Sequence, residues 1–232
     1  MTVNCEYCGA DLEPLTVELK DRTFIVGYRA CNCSESLEEE QARLDAQAEE
    51  EKRHEIDRLI AAFEASGIPN RYRGCEKLVE NLPELYETAF KDGLYLWGTT
   101  GTGKTTIAAA IGIRAIKNGR SVRFVDAYNI SQMLFDGRGD EITRPDLLII
   151  DDLGAEATGE WNNARMRSAI NDRYNSNKPT IVTSNYSKKE LAKLLTTDDM
   201  NMTSQAIFSR LSEMTKSLEI QGKDYRNVSA NR

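Results

Sequence analysis

The sequence predicts an α/β fold: a five-stranded parallel sheet flanked by helices, preceded by a small cysteine-punctuated module and one long helix. Three observations carry this. From about Gly67 onward, short apolar runs alternate with helical stretches, the pattern of a parallel sheet covered on both faces. Residues 34–66 contain neither Pro nor Gly. Four of the five cysteines, Cys5, Cys8, Cys31 and Cys33, fall in the first 33 residues.

Taken in order, residues 1–33 form a turn-rich module with a strand-like run at Thr23–Tyr28. Residues 34–66 are rich in Ala, Glu, Leu and Arg, strong helix formers, and read as an acidic helical linker. Ser34 and Ser36 can cap its start, and Gly67 with Pro69 stops it. Apolar residues thicken only near Ile56, Leu59, Ile60 and Phe63, so only the C-terminal part should dock on the next domain. Residues 67–232 hold candidate strands Gly93–Trp97, Val122–Asp126, Leu147–Asp151, Thr180–Thr183 and Ser217–Ile220. Helices are expected at Lys104–Lys117, Tyr128–Leu134, Asn162–Tyr174, Lys188–Leu195 and Ser204–Glu213.

Composition narrows the function. At 40% apolar residues an ordinary core is feasible, and no run of 18 or more apolar residues offers a membrane span. The N-terminus lacks the basic and apolar runs of a signal peptide, so a cytoplasmic location is expected. Net charge is −7 and unevenly spread. Residues 1–66 hold seven Lys/Arg against sixteen Asp/Glu, whereas the remainder is close to neutral. The acidic front repels nucleic acid and suits a protein partner.

The first apolar strand runs straight into a phosphate-binding loop. Gly98, Thr99, Thr100, Gly101, Thr102, Gly103, Lys104 and Thr105 fit G-x-x-x-x-G-K-[ST], and Thr106 continues into a helix. Glycines let consecutive N–H groups point into one anion-sized hollow, and the helix adds its positive end. Lys104 reaches the β- and γ-phosphates of ATP, and Thr105 ligates Mg²⁺. A strand then ends in Asp151-Asp152, where Asp151 is the candidate Mg²⁺ residue and Asp152 polarises the attacking water. The strand ending Thr183-Ser184-Asn185 offers Asn185 as a γ-phosphate sensor. Cys5-x-x-Cys8, 22 residues, then Cys31-x-Cys33 is a four-thiolate pattern suited to tetrahedral Zn²⁺. A segment this short has too little core to fold alone, and a metal supplies the missing free energy. His54 reads as exposed and Cys75 as a small buried side chain.

These residues together resemble the DnaC/DnaI-type replicative helicase loaders and the related IstB transposition ATPases, a branch of AAA+. The resemblance rests on Gly67-Ile-Pro-Asn-Arg-Tyr72, the phosphate loop, the strand end IIDDLGAE, the stretch Asn171–Asn185, Ser209-Arg210-Leu and Gly222-Lys-Asp-Tyr-Arg226. It covers about 67–228. It implies an ATPase core with no C-terminal lid domain, since the chain stops six residues after Arg226. It further implies that Arg210 is an arginine finger in a neighbouring subunit's site, with Arg173 as the alternative. In general such a finger contributes roughly 10³–10⁵ in rate. Arg226 would sense the subunit's own ATP or ADP. Implied partners are a hexameric replicative helicase gripped by the N-terminal region, single-stranded DNA, and other copies of the chain through the ATPase interfaces. Tyr72, Arg73, Tyr128 and Lys188–Lys189 are candidate DNA contacts. Many hydrolytic AAA+ proteins carry Asp-Glu where this chain has Asp151-Asp152, so a slow, switch-like ATPase is expected. An IstB-like regulator of DNA transposition is the alternative function, and a metabolic P-loop kinase a third, which would need a substrate pocket and lid and would not be expected to carry Asn185 and the two C-terminal arginines in those places.

Overall fold

In the computed structural model the cysteine segment folds around a two-stranded antiparallel hairpin, β1 (Pro14–Leu19) and β2 (Arg22–Tyr28). Residues 3–19, 22–154, 164–197 and 202–222 are described. The sequence indicated β2 but not its partner. Helix α1 spans Ser34–Ser66. It ends as expected: Gly67 adopts φ +74°, and the Ser66 hydroxyl donates to Phe63 O (2.6 Å) while accepting from the Ile68 amide (3.1 Å). The chain divides into two compact units, Met1–Arg58 and Leu59–Arg232. From residue 34 to 58 the helix is exposed almost throughout, whereas Phe63 and Ser66 are buried in the second unit.

Two further helices, α2 (Lys77–Glu80) and α3 (Pro83–Asp92), precede the sheet. Pro83 occupies the first turn of α3, where its missing N–H costs nothing. The sheet comprises β3 (Leu94–Trp97), β4 (Val122–Asp126), β5 (Leu147–Asp151), β6 (Thr180–Ser184) and β7 (Lys216–Glu219). Its order is β4-β5-β6-β3-β7 with every pair parallel. The connecting helices are α4 (Lys104–Lys117), α5 (Ile130–Phe135), α6 (Asp140–Thr143), α7 (Ala164–Asn175), α8 (Lys188–Thr197) and α9 (Met202–Glu213). All five expected strands are present within a residue or two, and α6 is an addition.

Strand alternation sends neighbouring residues to opposite faces. Leu94, Leu96, Leu147, Ile149 and Ile181 pack under α4 with Phe63 and Ile68. Tyr95, Leu148, Ile150 and Val182 pack against α5, α7 and α9 through Ile130, Ile170 and Leu211. Helix α4 lies so close that a Cβ on Gly112 would come within 2.9 Å of Ile149 Cδ1. Among the described strands β7 is exposed along its length, a short polar edge of the kind that resists pairing with other chains.

One expectation fails here. Arg173, weighed as a residue acting on a neighbouring subunit, is wholly buried in its own. Its guanidinium donates to Thr180 Oγ1 (3.1 Å) and to the carbonyls of Ile142 (3.1 Å), Pro145 (2.9 Å) and Pro179 (2.5 Å). Burial pulls its pKa down to about 10, still charged at neutral pH. The side chain ties α7 to the turns that lead into β5 and β6, which is a structural task. Arg173→Met should therefore destabilise the protein by about 3 kcal/mol, since several carbonyls lose their donors together. Urea unfolding would register a lowered midpoint at unchanged slope.

Candidate active site

Parallel strands of one sheet end on one edge, and here the tips of β3, β6 and β5 lie side by side. Trp97 pairs with Ser184 and Ile150 with Val182. The phosphate loop leaves β3 at this edge, Asp151-Asp152 leaves β5, and Asn185 comes directly after β6.

The loop's shape is set by backbone conformations that favour glycine. Gly98 has φ +146°, and a Cβ there would lie 2.4 Å from Ile220 O. That close approach exists because the Ile220 amide donates to Trp97 O at 2.7 Å, drawing the chain beyond β7 against the loop. Gly103, at φ +91°, forms the N-cap of α4. Lys104 is 7% exposed, and its ammonium lies 2.9 Å from Gly98 O, 2.8 Å from Thr99 O and 3.0 Å from Asn185 Oδ1. The Asn185 amide nitrogen in turn donates to Asp152 Oδ1 at 3.3 Å. Thus Asn185 bridges the lysine of the loop to the second carboxylate, with its oxygen toward the cation and its nitrogen toward the anion.

A second bridge was missed from sequence. The Thr183 hydroxyl donates to Asp151 Oδ1 (2.6 Å) and accepts from the Asp152 amide (2.9 Å). Ser184 Oγ donates to Leu153 O, and the Leu153 amide donates to Thr183 O (2.8 Å). These bonds staple the tips of β5 and β6 and hold Asp152 at φ +55°, a left-handed conformation uncommon outside glycine. Adjacent hydroxyls closing an otherwise apolar strand, as in IVTSN, were the available signal. Asp151 is mostly buried, and desolvation raises its pKa; Thr183 and Thr105 hydroxyls oppose the rise. Thr105 and Asp151 therefore face one another, as a shared Mg²⁺ requires. A buried ammonium, glycine-shaped loop and desolvated carboxylate beside a threonine hydroxyl fit a Mg²⁺–nucleotide.

Arg210 stands apart. Its guanidinium sits 4.7 Å from the centre of the Tyr174 ring. Tyr174 and Glu213 line a cleft with Gly93, Pro179 and Lys216, residues at the starting ends of β3, β6 and β7. The arginine thus lies toward the sheet edge opposite the phosphate loop. Arg226 falls outside the described residues.

In the first unit the four thiols cluster with all sulfurs within 4.8 Å of one another. Cys5 and Cys33 are 3.8 Å apart, Cys8 and Cys31 3.4 Å, distances that suit the edges of a tetrahedral sulfur site. Amide groups of Cys8 and then Tyr7 hold the Cys5 thiol down at about 7, as expected of a knuckle whose N–H groups converge on sulfur. Tyr7 also bonds to Glu39 on α1. His54 is exposed beside Glu50, and Cys75 is half-buried with its thiol pushed up to about 11 by desolvation. Of the candidate DNA contacts, Tyr128 is exposed, whereas Lys188 is engaged internally, donating to Ser212 O (2.7 Å) and Thr215 O. Among the described residues no helix is long and apolar enough to cross a membrane.

Because burial raises the folded-state pKa of Asp151, its ionisation opposes folding. Stability from this group is full below its unfolded value of 3.8 and is lost as pH rises through the folded value. Asp151→Asn should then melt higher than wild type without nucleotide at pH 7, with the advantage vanishing in acid. The same variant should lose the Mg²⁺-dependent part of ATP stabilisation; thermal melts with and without Mg²⁺ would check both.

Comparison with known proteins agrees with this geometry. The chain is similar to the replicative helicase loader DnaI of Bacillus subtilis, 25% identical over 229 residues that cover 90% of this chain and 73% of the relative. The replicative helicase loader DnaC of Escherichia coli K12 is 29% identical over 108 residues, and the match spans only 42% of this chain and 44% of DnaC. A protein of insertion sequence IS1162 from Pseudomonas fluorescens is 31% identical over 117 residues, covering 47% of this chain and 50% of its own length. Among solved structures, a crystal structure of DnaI superposes with a TM-score of 0.50 at 29% identity, covering 62% of this chain and 82% of that one. The strand order and helical layers are those of the AAA+ fold implied by the sequence resemblance. The family described as IstB-like ATP binding protein matches residues 40–231, and this chain belongs to it.

Proposed function

We propose that the protein is an ATP-switched replicative helicase loader: it binds a hexameric helicase and deposits it on single-stranded DNA. The observation that carries this reading is the similarity to DnaI, which extends over 90% of the chain rather than the ATPase part alone. In this reading residues 1–33 are a zinc module held by Cys5, Cys8, Cys31 and Cys33, and 34–66 an acidic linker. Residues 67–232 are the ATPase domain. The acidic character of the first 66 residues supports a protein partner there rather than a phosphate backbone.

Bound nucleotide would place its phosphates over Gly98–Thr106, with Lys104 on the β- and γ-phosphates and Mg²⁺ held by Thr105 and Asp151. When bound, Mg²⁺ offsets charge on the phosphate oxygens. Asn185 already joins Lys104 to Asp152, so a γ-phosphate arriving at the lysine would be felt at the carboxylate that orients the attacking water. Asp152 is one methylene shorter than glutamate, which favours slow turnover and a long-lived ATP state. Arg210 lies on Tyr174, toward the sheet edge opposite its own phosphate loop, which supports action on a neighbour's nucleotide. The IS1162 similarity supports a transposition regulator as the second reading, but it spans less than half of this chain.

Mixing with the replicative helicase of the same organism tests the proposal. Co-elution that differs between ATP and ADP and is lost in Cys5→Ser/Cys8→Ser is expected. No complex in either nucleotide, with cooperative coating of duplex DNA, would leave the transposition reading in its place. For turnover, Asp152→Asn should lower kcat by about 10²-fold with ATP affinity nearly unchanged. Asp152→Glu should raise kcat, as measured by steady-state phosphate release.

A further inference from the structure

If Arg210 acts in a neighbour's active site, it must wait for that site on an exposed face of its own subunit. A free arginine there samples many rotamers, and freezing one on contact costs part of the catalytic gain. The structure holds it in one place. Its guanidinium stacks on Tyr174, 4.7 Å from the ring centre. The Tyr174 hydroxyl donates to Glu213 Oε1 at 2.6 Å. Glu213 lies three residues after Arg210, on the same face of α9, so one helix supplies both the arginine and the acceptor that fixes the ring beneath it. Glu213 raises the pKa of the Tyr174 hydroxyl, which keeps it protonated and donating.

The ring is itself well anchored. Tyr174 comes next after the buried Arg173 on α7. From the other side, Lys188 donates to Ser212 O and Thr215 O, pinning the end of α9 that carries Glu213. Lys188 is only three residues beyond Asn185, so the same segment touches the nucleotide sensor and the end of the arginine helix. All three members of the cluster border solvent: Tyr174 and Glu213 line an open cleft of about 750 Å³.

We infer that Tyr174, locked by Glu213, is a positioning residue that preorganises Arg210 for the neighbouring subunit's ATP. The inference rests on the proposed action of Arg210 in trans, and a complementation assay separates the two. A Lys104→Ala subunit cannot use its own site but can donate its arginine; an Arg210→Ala subunit binds ATP but lacks one. Mixing them should restore ATP turnover. If mixing restores none and Arg210→Ala alone turns over like wild type, the trans role of Arg210 falls. If mixing restores turnover, donors carrying Lys104→Ala with Tyr174→Leu or Tyr174→Met should stimulate roughly 2–5-fold less, the worth of an exposed cation–π contact. Tyr174→Phe and Tyr174→Trp donors, which keep a ring face, should stay within about 2-fold of the unmodified donor. The loss should appear in kcat and not in the KM for ATP, because the recipient's site is untouched. Leu and Met donors that stimulate as well as the unmodified one would overturn the positioning role while leaving the trans role intact. An upfield ring-current shift of the Arg210 side-chain protons in wild type reads the stacking directly, whatever the variants' stability, and its absence would also overturn it.

Discussion

Parallel pairing of β5, β6 and β3 is the constraint on which the active cluster depends. Strands that run in one direction release their loops at one edge, so Lys104, the consecutive Asp151 and Asp152, and Asn185 converge from three distant parts of the chain. The register does the rest. With Trp97 opposite Ser184 and Ile150 opposite Val182, the polar end of β6 falls between the phosphate loop and the carboxylates. Thr183 then serves the β5 side and Asn185 bridges both.

That edge is also where buried polar groups accumulate, and each requires a partner. The Lys104 ammonium rests on two loop carbonyls and the Asn185 oxygen, while Asp151 receives the Thr183 hydroxyl. These bonds compensate the desolvation of a buried cation and a mostly buried anion at the same sheet edge. They are also the groups that a nucleotide would re-partner, so the network that satisfies the edge is the one that can register a γ-phosphate. The left-handed Asp152 belongs to the same compromise: its amide bonds to Thr183 only because the backbone turns there.

The opposite edge is organised by different means. Arg173 joins α7 to the turns before β5 and β6, and Tyr174 directly after it faces outward to Arg210. One residue secures the helix within its subunit while its neighbour presents an aromatic face to solvent. In the first unit, an exposed hairpin with Phe24, Ile25 and Val26 outward has little apolar core of its own. Four convergent thiols are the element there that could supply folding free energy through a metal.

Much of this was legible in the sequence. The five strands, the 34–66 helix with its glycine stop, the phosphate loop and the thiol spacing all arise from local pattern: apolar runs, helix-forming composition, glycines at required turns and ligand spacing. Those signals are written in consecutive residues. What the sequence could not convey depends on residues far apart meeting. Whether an arginine is buried or offered to a partner is not a property of its neighbours in the chain, and Arg173 and Arg210 look alike until α7 and α9 pack. Thr183 reads as one more β-branched strand residue until β5 lies beside it. The four-residue α2 and α6 escaped because so short a turn has no period of its own and its place is set by packing. By contrast α3, with Pro83 in its first turn and Gly93 at its end, and β1, with its Leu-Thr-Val-Glu-Leu run, do carry local signals. Local chemistry marked which groups could receive a phosphate; tertiary register decided which of them speak to one another.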